Sequence, residues 1–269
     1  LGNYGSSVIS LSEDKIYLSI LTANIKICLN LRRGLAIHSL VFVSHGEDPC
    51  IGTLPHGYFS SISLGSDFYS GGVVVELPLE RKKITDLEEV SPYFSLENNG
   101  DIIIYTEIKT TFGFINKMVT ISATDERISL GYSFPNWADM LGSVRLGNLT
   151  FFNKFNKEDV KILVSNGGKL SDCFTLKEET THSAPSSAFV SSSSGLGATT
   201  GNICIHNNKN SIYLNWNPAD CAVMPMLHHV ISKPSSLFRL FFSMQEVDDT
   251  AKKSKISDFS FDISSHDKS

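Results

Sequence analysis

An all-β fold, a large antiparallel two-layer sandwich, is what this sequence predicts, and three observations carry it. Apolar and polar residues alternate with period 2 from one end of the chain to the other. Turn signals separate the alternating runs, giving roughly fifteen candidate strands with short connections. No stretch sustains the i, i+3, i+4, i+7 spacing of an amphipathic helix over about 11 residues.

The elements follow in order. Lys15–Ile20, Asn24–Leu29 and Leu35–Phe42 read as three consecutive strands with polar breaks between them. Asn99-Gly100 stands between two apolar runs and predicts a two-residue hairpin, because a type I′ turn needs positive φ twice. Phe114–Ser122 and Ile128–Phe134 form a second hairpin across the ATDER segment. Asn202–Trp216 repeats the plan, turning at Asn207–Asn210. Ser236–Met244 and Asp258–Ile263 close the series, and only Asn156–Leu163 reads as one or two turns of helix. Ser183–Gly201 is rich in Ser and Gly and could pass for a linker, but strands resume after it without a shift in composition. The chain is therefore expected to form one domain over 1–269.

Composition narrows the function classes. The chain of 269 residues carries 23 basic and 28 acidic side chains, spread rather than clustered, for a net charge of −5. Nucleic acid and anionic membrane are poor partners for such a surface. No apolar run approaches the roughly 20 residues of a membrane helix. Cys28, Cys50, Cys173, Cys204 and Cys221 are scattered, without CxxC or Cys/His spacing, and read as isolated strand cysteines of a reducing, cytoplasmic compartment. The chain opens on Leu1 without an initiator Met, as a processed or excerpted chain would, so a removed leader is compatible with it. The lone sequon, Asn148-Leu149-Thr150, falls in a strand-like segment.

Chemistry is harder to find. There is no GxSxG elbow, no P-loop and no dinucleotide fingerprint, and no cofactor or metal is expected. The pairs His228-His229 and Asp248-Asp249 cannot converge on one ion from a strand, because neighbouring side chains point to opposite faces. The stretch Gly52–Leu87 differs in kind: His56, Tyr58, Asp67, Tyr69 and Glu76 offer carboxylates, an imidazole and aromatic faces close together. Sugar recognition needs that mixture, since carboxylates hold hydroxyl pairs and aromatic rings cover the apolar side of a pyranose. A long surface loop with space-filling aromatics would look the same. Asn136, Trp137 and Asp139 beyond a strand end make a second candidate, Trp216 is expected to pack inside, and Glu246 follows an apolar strand.

Three segments, NLRRGLAIHSLVF, the Gly52–Leu87 stretch and RLFFSMQEVDD, resemble the β-sandwich region that follows the catalytic barrel in family 57 glycoside hydrolases. Regions of that kind belong to the galactose-mutarotase-like class, a very large antiparallel supersandwich shared with aldose 1-epimerases. The resemblance implies an accessory or carbohydrate-binding module without its own hydrolytic centre, since the family's catalytic carboxylates sit on a β/α barrel that nothing here matches. It implies an oligosaccharide ligand, such as a glucan, a glycoside-hydrolase catalytic domain as partner, and Tyr58, Asp67, Tyr69, Glu76, Asn136 and Trp137 near the ligand. Epimerases of this class use a Glu base and a His acid, and His56 or His228 with Glu246 could imitate that pair, although no epimerase motif surrounds them. An interaction domain that docks through Gly52–Leu87 is the third reading.

Overall fold

Alternation builds both layers. The computed structural model describes residues 2–4, 7–54, 69–152, 155, 159–176, 180–181, 195–231, 236–247 and 250–267. The chain first lays down β1 (Gly2–Tyr4), β2 (Ser7–Leu11), β3 (Tyr17–Leu21), β4 (Ile25–Asn30), β5 (Ala36–Phe42), β6 (Ile51–Gly52), β7 (Gly72–Leu77) and β8 (Lys82–Thr85). Four strands of the other layer follow: β9 (Tyr93–Leu96), β10 (Ile102–Lys109), β11 (Phe114–Ile121) and β12 (Arg127–Ser133). It then crosses repeatedly, through β13 (Ser143–Phe151), β14 (Lys161–Val164), β15 (Asp172–Thr175), β16 (Thr180–Thr181), β17 (Asn202–His206), β18 (Ser211–Asn215), β19 (Met224–Val230), β20 (Leu237–Gln245) and β21 (Phe259–Ser264).

Among the described residues the large sheet has 12 strands in the order β1-β2-β3-β4-β5-β6-β13-β20-β19-β16, with β7 and β8 branching from β13. The small sheet has 9, in the order β15-β14-β17-β18-β21-β12-β11-β10-β9. All the pairings are antiparallel. Leu29, Leu40, Val75, Leu146 and Leu240 of the large sheet meet Ile104, Val119, Leu130 and Phe261 of the small one in a shared apolar cluster. The alternation seen in the sequence is thus one face per strand given to this core.

One charge enters the core. Lys117 of β11 is fully buried and donates from Nζ to Asp86 Oδ2 and to Gly34 O, each at 2.6 Å. Asp86 Oδ1 accepts from the Val73 N–H at 3.0 Å, so the carboxylate is held from both layers. Gly34 takes φ +57°, and a Cβ there would lie 1.9 Å from Asp86 O, so only glycine fits. Tyr132 Oη donates to Gly71 O at 3.0 Å beside this pair. Burial first, and then the Asp86 charge, push that phenol well above its ordinary pKa.

Several expectations change in detail. The Asn99-Gly100 hairpin joins β9 to β10, with Gly100 N–H donating to Glu97 O at 2.9 Å. Only Gly100 has positive φ, at 88°, so the turn is not type I′. Its one left-handed residue is a glycine. Residues 161–163 of the expected helical segment lie in β14, where Ile162 and Val164 alternate into the core. The later half of Gly52–Leu87 is not a loop, because Val73, Val75 and Leu77 carry β7 into the core. The sequon lies in β13, where Asn148 is buried at a bulge with φ 45° and is closed to glycosylation. The five cysteines are free thiols, as their spacing implied. No described helix is long and apolar enough to cross a membrane.

Candidate functional site

The face of the large sheet turned away from the core collects the polar side chains of β7, β13, β20 and β19. Register places them in rows. Glu76 stands opposite Ser143, and Arg145 lies between Val74 and Ser243. Thr150 is opposite Arg239, which is opposite His228. The intervening residues Leu146, Leu149, Leu240, Phe242 and Leu227 face the core. Two bulges shape the face. The one at Gly147-Asn148 leaves Phe241 opposite the widened β13, and the one near Met244 turns Glu246 back toward Arg145.

Glu246 is held by three donors. Arg145 donates from Nε to Oε1 at 2.9 Å and from Nη2 to Oε2 at 3.0 Å, a bidentate pair, and Ser243 Oγ donates to Oε1 at 2.7 Å. The Phe241 ring lies between two guanidiniums, with Arg145 Cζ at 5.8 Å and Arg239 Cζ at 5.9 Å from its centroid. Arg239, Phe241, Met226 and His228 are buried. The Glu246 and Glu76 side chains retain 12% and 14% exposure, so among the described residues they are carboxylates through which this face meets solvent.

His228 Nδ1 lies 3.1 Å from Arg239 Nη2. A guanidinium only donates, so Nδ1 accepts and the imidazole is neutral with its proton on Nε2. Burial first, then the Arg239 and His229 charges, bring its pKa down to about 4. His229, one residue on, turns to the opposite face and packs edge-on against Phe238, as strand alternation requires. Arg239 and Ser243 are four residues apart on β20, which separates the His228 and Glu246 ends of the face by about 13 Å at ~3.3 Å per residue.

The expected ligand residues do not form one set. His56, Tyr58 and Asp67, together with Asp248 and Asp249, lie outside the described residues. Tyr69 is buried with Leu54, Ala36 and Leu237 at the far end of the same face, and its hydroxyl accepts from Arg33 Nε at 3.2 Å. Glu76 pairs with Lys83 at 3.3 Å. Asn136 and Trp137 belong to the turn after β12, in the other layer. Trp137 is 8% exposed and donates from Nε1 to Phe114 O, with Phe112 and Phe134 against its ring. Its faces are filled by protein rather than presented to a ligand, which corrects the expectation that it stands near one. Trp216 packs inside against Phe242, as its setting suggested. Tyr69, Glu76, His228 and Glu246 therefore share a face, while Arg145, Arg239, Phe241 and Ser243 complete it and were missed. Their signal was present: an arginine at an outward position within each of the apolar runs SVRLGNLTF and LFRLFFSMQ. Among the described residues, no group of three or more His, Cys, Asp or Glu is placed to hold a metal ion.

No protein-family model matches this chain, and no curated protein matches it in sequence. Solved structures do match in fold. A galactose mutarotase-like protein from Clostridium acetobutylicum superposes with TM-score 0.55 at 7% identity, over 96% of this chain and 97% of that one. A putative aldose 1-epimerase from Escherichia coli K12 gives 0.52 at 10% identity, over 96% and 98%. The α-N-acetylgalactosaminidase of Bifidobacterium bifidum gives 0.53 at 7% identity, covering 97% of this chain but 35% of the enzyme. A 4-α-glucanotransferase from Thermococcus litoralis reaches 0.41, too slight to carry the family 57 part of the resemblance. At these identities the likeness concerns architecture: the fold is the galactose mutarotase-like sandwich.

Proposed function

We propose that this chain is a carbohydrate-recognition sandwich, an accessory module of carbohydrate-active enzymes, that binds its sugar on the outward face of the large sheet without hydrolysing it. The observation that carries this reading is the Arg145–Glu246–Ser243 clamp. A carboxylate fixed by a bidentate arginine keeps acceptor capacity toward solvent while its position stays rigid, which suits paired sugar hydroxyls. The same clamp disfavours catalysis. Three donors already occupy Glu246, and His228 is neutral and displaced along the strand, so the two cannot flank one anomeric centre as paired base and acid. That the same fold makes up 35% of a longer glycosidase chain supports an accessory role.

Calorimetric titration with maltooligosaccharides tests the reading. Millimolar binding is expected, because each exchanged hydroxyl hydrogen bond is worth only about 1 kcal/mol net. Glu246→Gln and Arg145→Met should each weaken it about tenfold; equal affinity in both variants contradicts the site. Aldose 1-epimerisation is the second reading, favoured by His228 and Glu246 lying on one face and by neighbours of that name matching over nearly their whole length. Accelerated mutarotation of glucose or galactose that disappears in Glu246→Gln would establish it.

A further inference from the structure

The outward face of the small sheet carries a groove with no part in the reading above. Register lines up Tyr93, Tyr105, Met118, Gly131 and Ser260 directly across β9, β10, β11, β12 and β21. At ~4.8 Å between strands the row is about 19 Å long. It alternates with Ile104, Val119, Leu130 and Phe261, which face the core, so the row faces out. A cavity of about 560 Å³ lies over Tyr105, Met118 and Gly131. A second, of about 490 Å³, lies over Asn202, Asn215 and Trp216, and the two meet at Asp220 and Ser260.

Gly131 opens the floor. It has no left-handed conformation to justify a glycine. A Cβ built there would meet Met118 Cε at 3.5 Å and Ser260 Cβ at 3.9 Å, ordinary contact distances. Glycine in the interior of a strand weakens the sheet and marks a bulge, a tight bend or a close approach of ligand or backbone; the register through Gly131 is unbroken, which leaves close approach. Each cavity is also lined by an asparagine with an unmet hydrogen bond: Asn116 Oδ1 beside the first and Asn215 Nδ2 beside the second are buried without a partner. One is an acceptor and the other a donor. Tyr93 is 73% exposed and Met118 40%, and the Tyr93 and Tyr105 rings lie 6.5 Å apart.

Charge narrows the ligand. Asp220, Asp258 and Asp262 line the groove, and among the described residues the one lining cation, Lys117, has its ammonium inside the core. An anionic ligand is therefore disfavoured. A cationic one has less to gain than three aspartates suggest, because Asp262 already faces Arg127 Nη1 at 3.9 Å and accepts from Ser129 Oγ, Asp258 accepts from the Phe134 N–H, and Asp220 accepts from Asn217 Nδ2. What remains is aromatic surface, amides and hydroxyls in an elongated trough. We propose that this groove is a second binding site, for an uncharged oligosaccharide chain lying across the strands from Tyr93 toward Asn215.

The site is independent of the Arg145 clamp, and one set of titrations separates them. Maltohexaose, cellohexaose, mannohexaose and xylohexaose would each be added to the protein at millimolar concentration, with amide shifts as the readout. At least one should shift the amides of Tyr105, Gly131 and Ser260. Gly131→Val and Tyr105→Ala should each weaken that response about tenfold, while Glu246→Gln leaves it unchanged. Gly131→Val should melt no lower than the wild type, since it adds a β-favouring side chain where contact distances allow one. Each of these outcomes overturns the proposal: no hexasaccharide moves the row, Gly131→Val binds as tightly as the wild type, or Gly131→Val melts lower because Met118 needs the space. Binding of oligolysine in place of every saccharide would also overturn it, in favour of a basic peptide.

Discussion

Replacing Lys117 by methionine removes one ammonium from the core and little else, since the two side chains have similar reach. In the native protein the ammonium is fully buried and satisfied by Asp86 Oδ2 and Gly34 O, both at 2.6 Å. Without it, the Asp86 carboxylate keeps only the Val73 N–H, and the Gly34 carbonyl loses its side-chain donor. Breaking a buried pair from one side costs about 3–5 kcal/mol, because the remaining charge stays out of water without compensation. Urea unfolding followed by far-UV circular dichroism should show a lower midpoint at unchanged slope, as expected when stability changes and the exposed surface does not. Thermal melting should fall by roughly 6–20 °C, taking about 2–4 °C per kcal/mol for a chain of this size. Adding Asp86→Asn should recover part of the loss, since the second charge is then gone. A Lys117→Met protein within about 1 kcal/mol of the wild type would refute the reasoning, as would a double variant less stable than the single one.

Two further outcomes follow from the chemistry of buried groups. Burial brings His228 from 6.5 to about 4, so below pH 6.5 the unfolded chain takes up a proton that the folded one refuses until about pH 4. Stability is then complete above pH 6.5 and falls through that window by about 3 kcal/mol, at ~1.36 kcal/mol per pH unit. His228→Gln should remove that part of the slope in urea titrations, and a difference between variant and wild type that stays constant across the window would contradict it. Burial also pushes the Cys50 thiol up to about 12, whereas Cys173 is exposed. Iodoacetamide followed by mass spectrometry should therefore label Cys173 in the native protein and Cys50 only in denaturant; native labelling of Cys50 would show that β6 opens.

The layers were legible because they rest on a local signal. Ile128, Leu130 and Tyr132 at alternate positions need only a half-buried strand to explain them, and that is what β12 is. Short or uneven strands were not legible: β6 has two residues, and β13 is buried along its whole length, so neither shows the period. Glu76 and Glu246 could be picked out as carboxylates, but the sequence suggested His56 or His228 beside Glu246 and not its actual partner. Glu246 finds Arg145 across 101 residues of sequence, through a bulge that the sequence does not announce. Trp137 misled for the opposite reason. A Trp beside Asn and Asp looks like an exposed platform until Phe112, Phe134 and the Phe114 carbonyl close around it.

The sugar site proposed above is the Arg145–Glu246 clamp on the outward face of the large sheet. Amide chemical-shift mapping during a titration with maltohexaose tests it most directly, because it locates the ligand as well as detecting it. Saturable, millimolar shifts are expected at Glu76, Ser143, Arg145, Phe241, Ser243 and Glu246, with their loss in Arg145→Met. A titration that leaves this cluster unmoved, whatever happens elsewhere on the protein, would contradict it.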